Sequence, residues 1–354
     1  MIFSDKLHKL LFSLALATSI TFSQSLLAAD SANKESGFIL TSIKPLQLIA
    51  ADITEGIIEA VSLLPPGASP HQYSLRPSEV KRIHNASSIF WVGPELELFL
   101  SKPFSAYANK SHALSALIKS VTKKQPGIDQ LLEIAGRAHS EQNHHQDEAH
   151  NHSEEDHQNE EDNHTEEEQH QPHAIQLHQH QYQGRDPHIW LSPEQALKIA
   201  ATIRDVVAAQ YPTHKQRLTS NYLDFAQSVE TADRTLKQQF GSLKGVGFLV
   251  FHDAYSRFVE HYQLNQIGAL TLNPSKRPGA KHLAEIRQLI NDSQPSCIFS
   301  EPQFSGVAIQ SVVRNLNIKI GQLDPLGIGT KAEKNRYASF LSSFGRQFSD
   351  CLGS

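Results

Sequence analysis

The stretch "HKQRLTSNYLDFAQSVETADRTLKQQF", residues 214–240, decides the fold. It continues a helical pattern for about 27 residues. At 1.5 Å per residue such a helix spans about 40 Å. That is longer than one small lobe needs, so the stretch reads as a bridge between two lobes. Just before it, "PEQALKIAATIRDVVAAQY" (193–211) carries apolar residues at helical spacing, and Pro212 interrupts the pattern.

On both sides of this helical segment, apolar runs alternate with helical patterns. Towards the N-terminus, "FILTSI" (38–43), "EAVSLL" (59–64) and "SSIFWVG" (87–93) read as strands. "RPSEVKRIHNA" (76–86) reads as a short helix with Pro77 in its first turn. Towards the C-terminus, "GVGFLVF" (245–251), "QIGALTL" (266–272), "CIFSEP" (297–302) and "IKIGQLD" (318–324) read as strands. "DAYSRFVEHY" (253–262) and a helix beginning at Pro278 lie between them. Strands separated by helices imply parallel β/α units. The expected fold class is α/β, two lobes joined by one long helix. A chain of 354 residues is comfortable for two domains of this kind. The boundaries read as 30–192 for the first lobe, 193–243 for the helical segment and 244–354 for the second lobe.

Residues 138–183 interrupt the first lobe. Between His139 and His180 stand eleven histidines and twelve acids, with no Lys or Arg. The insert carries −12 of formal charge, so the remainder of this −5 chain is +7. Almost nothing apolar is present, so the segment cannot offset its ordering entropy and is expected to be a disordered loop. Its histidines can bind several metal ions loosely; the plainer alternative is a solvated acidic insert.

The N-terminus reads as a signal peptide over residues 1–29. Lys6 and Lys9 precede the apolar stretch Leu10–Phe22, and the small residues Ala28 and Ala29 follow. The stretch is short for a membrane span. An uncleaved anchor is the alternative. No later stretch is long and apolar enough to cross a bilayer, so the mature chain is expected to be exported and soluble. Cys297 and Cys351 are the only cysteines. In an exported protein they suggest one disulfide tying the C-terminal tail to a strand, with two buried thiols as the alternative. Two distant cysteines make a poor zinc site.

Four residues are candidate ligands, and His71, His252 and Asp324 follow strands, beyond whose carboxyl ends ligands gather in α/β sheets. His71 follows a Pro/Gly-rich turn in "PPGASPHQYSLRPSE". His188, in "RDPHIWLSP", has a backbone stiffened by Pro187 and apolar neighbours in Ile189, Trp190 and Leu191. Packing beside Trp190 is its structural alternative. His252 ends the apolar run of "GFLVFHDAYSRF", with Asp253 expected as the N-cap of the following helix. Asp324 ends a strand in "IKIGQLDPLG", where an ordinary Asp-Pro turn is the alternative. Glu301 in "FSEPQ" has the same local grammar and is a weaker candidate. Three histidines with a carboxylate or water give a nitrogen-rich, four-coordinate site that suits zinc. A carboxylate-rich set would lean to manganese or other harder cations.

The chain shows no HExxH, no GxSxG and no obvious general base paired to a histidine at short spacing, so an enzyme is not expected. No glycine-rich phosphate loop or basic aromatic patch supports a nucleotide or nucleic-acid role.

The segments "GASPHQYSLRPSEVKR", "WVGPELE", "DPHIWLSP", "FHDAYSRF" and "DPLG" occur in a recognisable order, with a histidine-rich loop between the second and third. In them the chain resembles the periplasmic zinc-binding proteins of bacterial high-affinity zinc ABC importers. That family belongs to the metal-specific solute-binding proteins, and the resemblance covers nearly the whole mature chain. It implies two α/β lobes joined by a rigid helix, with the metal in the cleft between them. It implies His71 and His188 from the first lobe and His252 and Asp324 from the second. Histidine at 252 looks like the zinc branch; the manganese and iron branch usually has glutamate there. Gln72 stands where some zinc relatives have an acidic ligand, which leaves the fourth position to Asp324 or water. The pair Cys297 and Cys351 looks like the disulfide of Gram-negative zinc members. The implied role is that of a monomer that captures Zn(II) in the periplasm. It would pass the ion to a membrane permease with a cytoplasmic ATPase. A manganese or iron importer protein, a periplasmic zinc buffer and a metallohydrolase are the competing readings.

Overall fold

The bridging helix forms where the sequence places it. A computed structural model describes residues 37–117, 186–271, 274, 279–314 and 316–353. The signal peptide, the histidine-rich insert and Pro278 lie outside the described residues. Described elements of the first lobe are β1 (Phe38–Thr41), α1 (Lys44–Ile53), β2 (Glu59–Ser62), α2 (Pro77–Asn85), β3 (Ser88–Trp91), α3 (Leu98–Ser105) and β4 (Ser111–Ala113). Then come α4 (Pro193–Gln210) and the 25-residue α5 (Lys215–Gln239). The second lobe holds β5 (Gly247–His252), α6 (Ser256–Tyr262), β6 (Asn265–Thr271), α7 (Ala280–Ser293), β7 (Cys297–Ser300), α8 (Val307–Val313), β8 (Lys319–Gln322) and α9 (Arg336–Leu352).

Both described sheets are four-stranded and parallel, in the orders β2-β1-β3-β4 and β6-β5-β7-β8. The two lobes therefore repeat one topology. Each parallel pairing needs a crossover, and the helices between strands supply it. The α/β reading with two lobes thus holds. Strand β5 shows why its apolar run is unbroken. Phe248 and Val250 face the main core, while Leu249 and Phe251 face a smaller cluster with Ile286, Ile290, Ile298 and Val312. A strand covered on both faces has no solvent side to make polar.

Helix α5 buries one stripe, Leu218, Phe225, Val229, Ala232 and Leu236. At its start, the Asn221 side chain donates to the carbonyls of Ile53 and Glu55 at the end of α1 (2.9 and 3.1 Å). Towards its end, Leu236 packs on α9 at Gly345, where a Cβ would lie 2.2 Å from a Leu236 methyl. One helix thus touches both lobes. The seam between the lobes is also hydrogen-bonded. Asp52 of α1 caps α9, accepting from the backbone N–H groups of Arg336 and Tyr337 (both 3.0 Å). Arg336 also bonds Asp52 and Glu55 through its guanidinium.

Cys297 and Cys351 form a disulfide, with Cα atoms 6.2 Å apart and a sequence separation of 54. It ties α9 to β7. Around it the second lobe is aromatic. Phe248, Phe258, Phe299, Phe344 and Phe348 pack together, the rings of Phe258 and Phe348 stacked at 5.0 Å.

Two local expectations change. Asp253 is not the N-cap of α6, which starts three residues later with Tyr255 at the cap position. Asp253 instead stays with the sheet: its N–H donates to Thr271 and its carboxylate accepts from Gln266 of β6. The helix expected from Pro278 begins at Ala280, with Gly279 before it. Pro77 does occupy the first turn of α2, and Glu79 accepts from the Arg76 N–H at 2.8 Å to close that helix end.

Candidate metal centre

Three of the four expected residues meet. His71 lies in the connection after β2, His188 just before the short turn that enters α4, and His252 at the last position of β5. Their rings form a triangle, with centroids 5.5 Å (His71–His188), 4.8 Å (His71–His252) and 5.1 Å (His188–His252) apart. One nitrogen from each lies within 4.8 Å of the others. Tetrahedral zinc with bonds of about 2.0–2.1 Å places its nitrogens roughly 3.3 Å apart. The triangle therefore needs to contract by about 1.5 Å at most to seat the ion.

His71 is poised as a neutral donor. Burial, aided by the neighbouring His252 and His188, pushes His71 down to about 2. His188 and His252 are each only 2% exposed, which removes water as a competing partner. The Nε2 atoms of His71 and His252 are buried without a hydrogen bond. Such orphaned atoms cost about 1–3 kcal/mol each unless something arrives to pair with them. The site is thus unsatisfied as it stands, and a cation would satisfy it.

His188 is the most firmly held. Asp186 Oδ1 accepts from both its backbone N–H (2.9 Å) and its Nδ1 (2.7 Å). A carboxylate at that distance makes Nδ1 the protonated nitrogen and leaves the Nε2 lone pair for a metal. Burial works to raise Asp186, but His188 and Arg257 outweigh it and hold the carboxyl below its usual range. Arg257 of α6 donates to the Asp186 carbonyl at 2.8 Å. Trp190, fully buried, stacks edge-on near His188 (5.2 Å) and donates to Pro325 O at 2.7 Å. Tyr337 of α9 donates to Trp190 O at 2.8 Å. The segment 186–190 of the first lobe is therefore fastened to the second at three points. Packing beside Trp190 and facing the other histidines are compatible.

Asp324 stands outside the three-histidine group. Its carboxylate accepts from Gly329 N (3.3 Å) and Gln303 Nε2 (3.4 Å), and burial raises it against the opposing backbone N–H groups. Glu301, the weaker candidate in sequence, lies nearer the histidines. It is 4% exposed, and its Oε1 is 3.5 Å from His252 Nδ1. Sequence reasoning missed the part played by Asp186. The available signal was an acid two residues before a candidate histidine, with a proline between them to hold the turn.

The chain matches the family described as zinc-uptake complex component A, periplasmic (ZnuA), over residues 39–351. The high-affinity zinc uptake system protein ZnuA of Yersinia pestis is 36% identical over 330 residues, 92% of this chain and 95% of that one. The same-named protein of Haemophilus ducreyi is 39% identical over 314 residues, 89% of this chain and 93% of its own. A crystal structure of ZnuA, 19% identical, covers 90% of this chain and 100% of its own at a TM-score of 0.63. The periplasmic zinc-binding protein TroA of Treponema pallidum, 16% identical, covers 90% and 99% at 0.66. These structural likenesses speak for the two-lobed fold, and the matches in sequence carry the membership. With a three-histidine centre between two lobes of parallel strands and relatives alike over nine-tenths of its length, the chain belongs to the ZnuA family of periplasmic zinc-uptake components.

Proposed function

We propose that the protein captures Zn(II) with His71, His188 and His252 and presents it to an ABC permease driven by a cytoplasmic ATPase. The observation that carries this is the convergence of three imidazole nitrogens from three separate chain segments, two of them nearly inaccessible to water. Nitrogen donors without a carboxylate in the group favour zinc over manganese. Water takes the fourth position in this reading, because the Asp324 carboxylate is engaged by Gly329 and Gln303. Asp324 enters only by leaving those partners. Residues 1–29 direct export to the periplasm, and the mature chain acts as a monomer with no catalytic step. No described helix is long and apolar enough to cross a membrane. Both lobes supply ligands, so the ion favours the form in which they are closest, and the permease can select that form by its own contacts.

Calorimetric zinc titration tests the assignment on the whole mature chain, on a chain lacking residues 138–183 and on His252→Ala. The expected result is one tight site that survives the deletion. It weakens by on the order of a hundredfold or more in His252→Ala, since structural zinc binding of about 10–16 kcal/mol is shared among roughly four ligands. Tight binding that disappears with the insert would move the primary site out of the cleft.

A further inference from the structure

We propose that Glu301 is the positioning residue for His252: its carboxylate accepts a hydrogen bond from Nδ1–H, leaves Nε2 to face the metal and is not itself a ligand. This rests on the zinc-capture reading and extends it to a residue outside the three-histidine group.

The sheet puts the two side chains together. Strands β5 and β7 pair in parallel with Val250 opposite Phe299. Two residues further along each strand direction stand His252 and Glu301, at the same level and, by the two-residue alternation, on the same face. Their nearest atoms, His252 Nδ1 and Glu301 Oε1, are 3.5 Å apart. Both atoms are buried and neither has a hydrogen bond. An approach of well under 1 Å brings them to ordinary hydrogen-bond distance and satisfies both.

The same device is already closed elsewhere in the site. His188 donates from Nδ1 to Asp186 at 2.7 Å. Metal-ligating histidines generally donate their second ring N–H to a carboxylate, carbonyl or water, which fixes the tautomer and raises the basicity of the ligating nitrogen. A cation on Nε2 draws electron density from the ring and makes Nδ1–H a stronger donor. Loading the site therefore tightens the His252–Glu301 pair, and the pair in turn strengthens His252 as a ligand. His188 is preset by its own segment, whereas His252 is set by a partner just past the end of the neighbouring strand. Glu301 stands outside the group of atoms close enough to share one ion, which separates its role from that of a fourth ligand.

The test uses the full mature chain and its Glu301→Ala, Glu301→Gln and His252→Ala variants, with the His252→Ala/Glu301→Ala double variant. Zinc affinity is read by competition with chelators of graded strength, and the coordination sphere by the Co(II) absorption spectrum at saturation. Glu301→Ala is expected to weaken zinc binding about 10–100-fold. Glu301→Gln keeps the volume and a carbonyl that accepts from Nδ1, and is expected to recover most of that loss. The Co(II) bands should superimpose in wild type and both Glu301 variants. In the His252→Ala background, Glu301→Ala should change affinity less than about twofold, because its effect passes through His252. The proposal is overturned if Glu301→Ala binds zinc like wild type, or if Glu301→Gln loses as much as Glu301→Ala. Altered Co(II) bands would make Glu301 a ligand and also overturn it. So would an undiminished effect in the His252→Ala background, which marks a merely structural role. A His252→Ala variant that binds zinc normally would instead sink the capture reading itself.

Discussion

The two lobes share one strand order, and each carries a buried glutamate in the loop after its third strand in sequence. In the first lobe Glu97 follows β3; in the second Glu301 follows β7. Glu97 turns back on its own loop and accepts from the N–H groups of Val92 (2.8 Å) and Gly93 (3.3 Å). Glu301 faces His252 on the neighbouring strand. A buried glutamate in the corresponding loop thus braces that loop in one lobe and serves the metal centre in the other. The supply of ligands differs as well. His71 and His188 come from loops, while His252 is the end of a strand. Loop ligands need fastening, which Asp186, Trp190 and Arg257 provide for His188; a strand-end ligand inherits its position from the sheet.

The largest expected effect lies in the second lobe, which alone has a disulfide among the described residues. Its 54-residue separation makes the link a strong constraint on the unfolded chain. Replacing Cys297 and Cys351 by Ser should lower stability by about 2–4 kcal/mol. Zinc affinity should hold at temperatures where the variant remains folded, because neither cysteine touches the histidines. Denaturant unfolding with and without zinc checks both halves of this statement. Unfolding midpoints equal to those of the oxidised wild type would show that the Phe248–Phe348 cluster holds α9 on the sheet without the covalent tie.

A smaller, pH-dependent effect belongs to the first lobe. Burial pushes Glu97 up to about 7, against the opposing hydrogen bonds of its loop. An ordinary glutamate ionises near 4.5. Below that value both the folded and unfolded chains hold the proton, and the contribution to stability is complete. Between 4.5 and 7 only the folded chain holds it, so stability falls as pH rises. Glu97→Gln keeps the neutral shape and removes this slope. The variant should match wild type near pH 4 and exceed it by roughly 3 kcal/mol near pH 8. His71 acts in the opposite sense. Its depressed value makes stability rise with pH between about 2 and 6.5 in both chains, so it cancels in the difference. Parallel stability curves for the two chains would show that Glu97 is ionised in the fold at neutral pH.

Much of this fold is legible in sequence, for physical reasons. Strands covered on both faces must be apolar throughout, which makes runs such as Phe248–Phe251 stand out. The bridging helix is legible because its pattern runs on for several turns more than a small lobe can use. Short elements are harder. Helix α3 contains Pro103, and β4 is three residues long with no buried position, so neither carries a clear period. Asp253 has the composition of a cap, yet its N–H and its carboxylate are bonded to β6, and the helix starts three residues later. At the site, the three histidines are recognisable by their places after strands and turns. Their meeting is not, because it depends on how segments far apart in the sequence are packed. Asp324 and Glu301 share one local grammar at the ends of neighbouring strands. Only side-chain direction separates them: one carboxylate is turned to Gly329 and Gln303, the other to His252.

The smallest effect should come at the seam where the lobes meet. Trp190 belongs to the first lobe, and its indole N–H donates to the buried carbonyl of Pro325 in the second. Tyr337 closes the same contact from α9 by donating to Trp190 O, a bond that does not depend on the indole. Trp190→Phe therefore removes one cross-lobe hydrogen bond, leaves the Pro325 carbonyl without a donor and keeps most of the apolar packing. The expected cost is about 1–2 kcal/mol in unfolding experiments. Zinc affinity should change less than about threefold, because Asp186 and Arg257 still fix the approach to His188. That outcome would mean that the loop ligand is held by its own carboxylate and that the seam contributes stability alone. A loss of affinity beyond tenfold, with the fold intact, would reverse the assignment: the first lobe's ligand would then depend on its grip on the second, and the difference between loop-borne and strand-borne histidines would be one of coupling between the lobes.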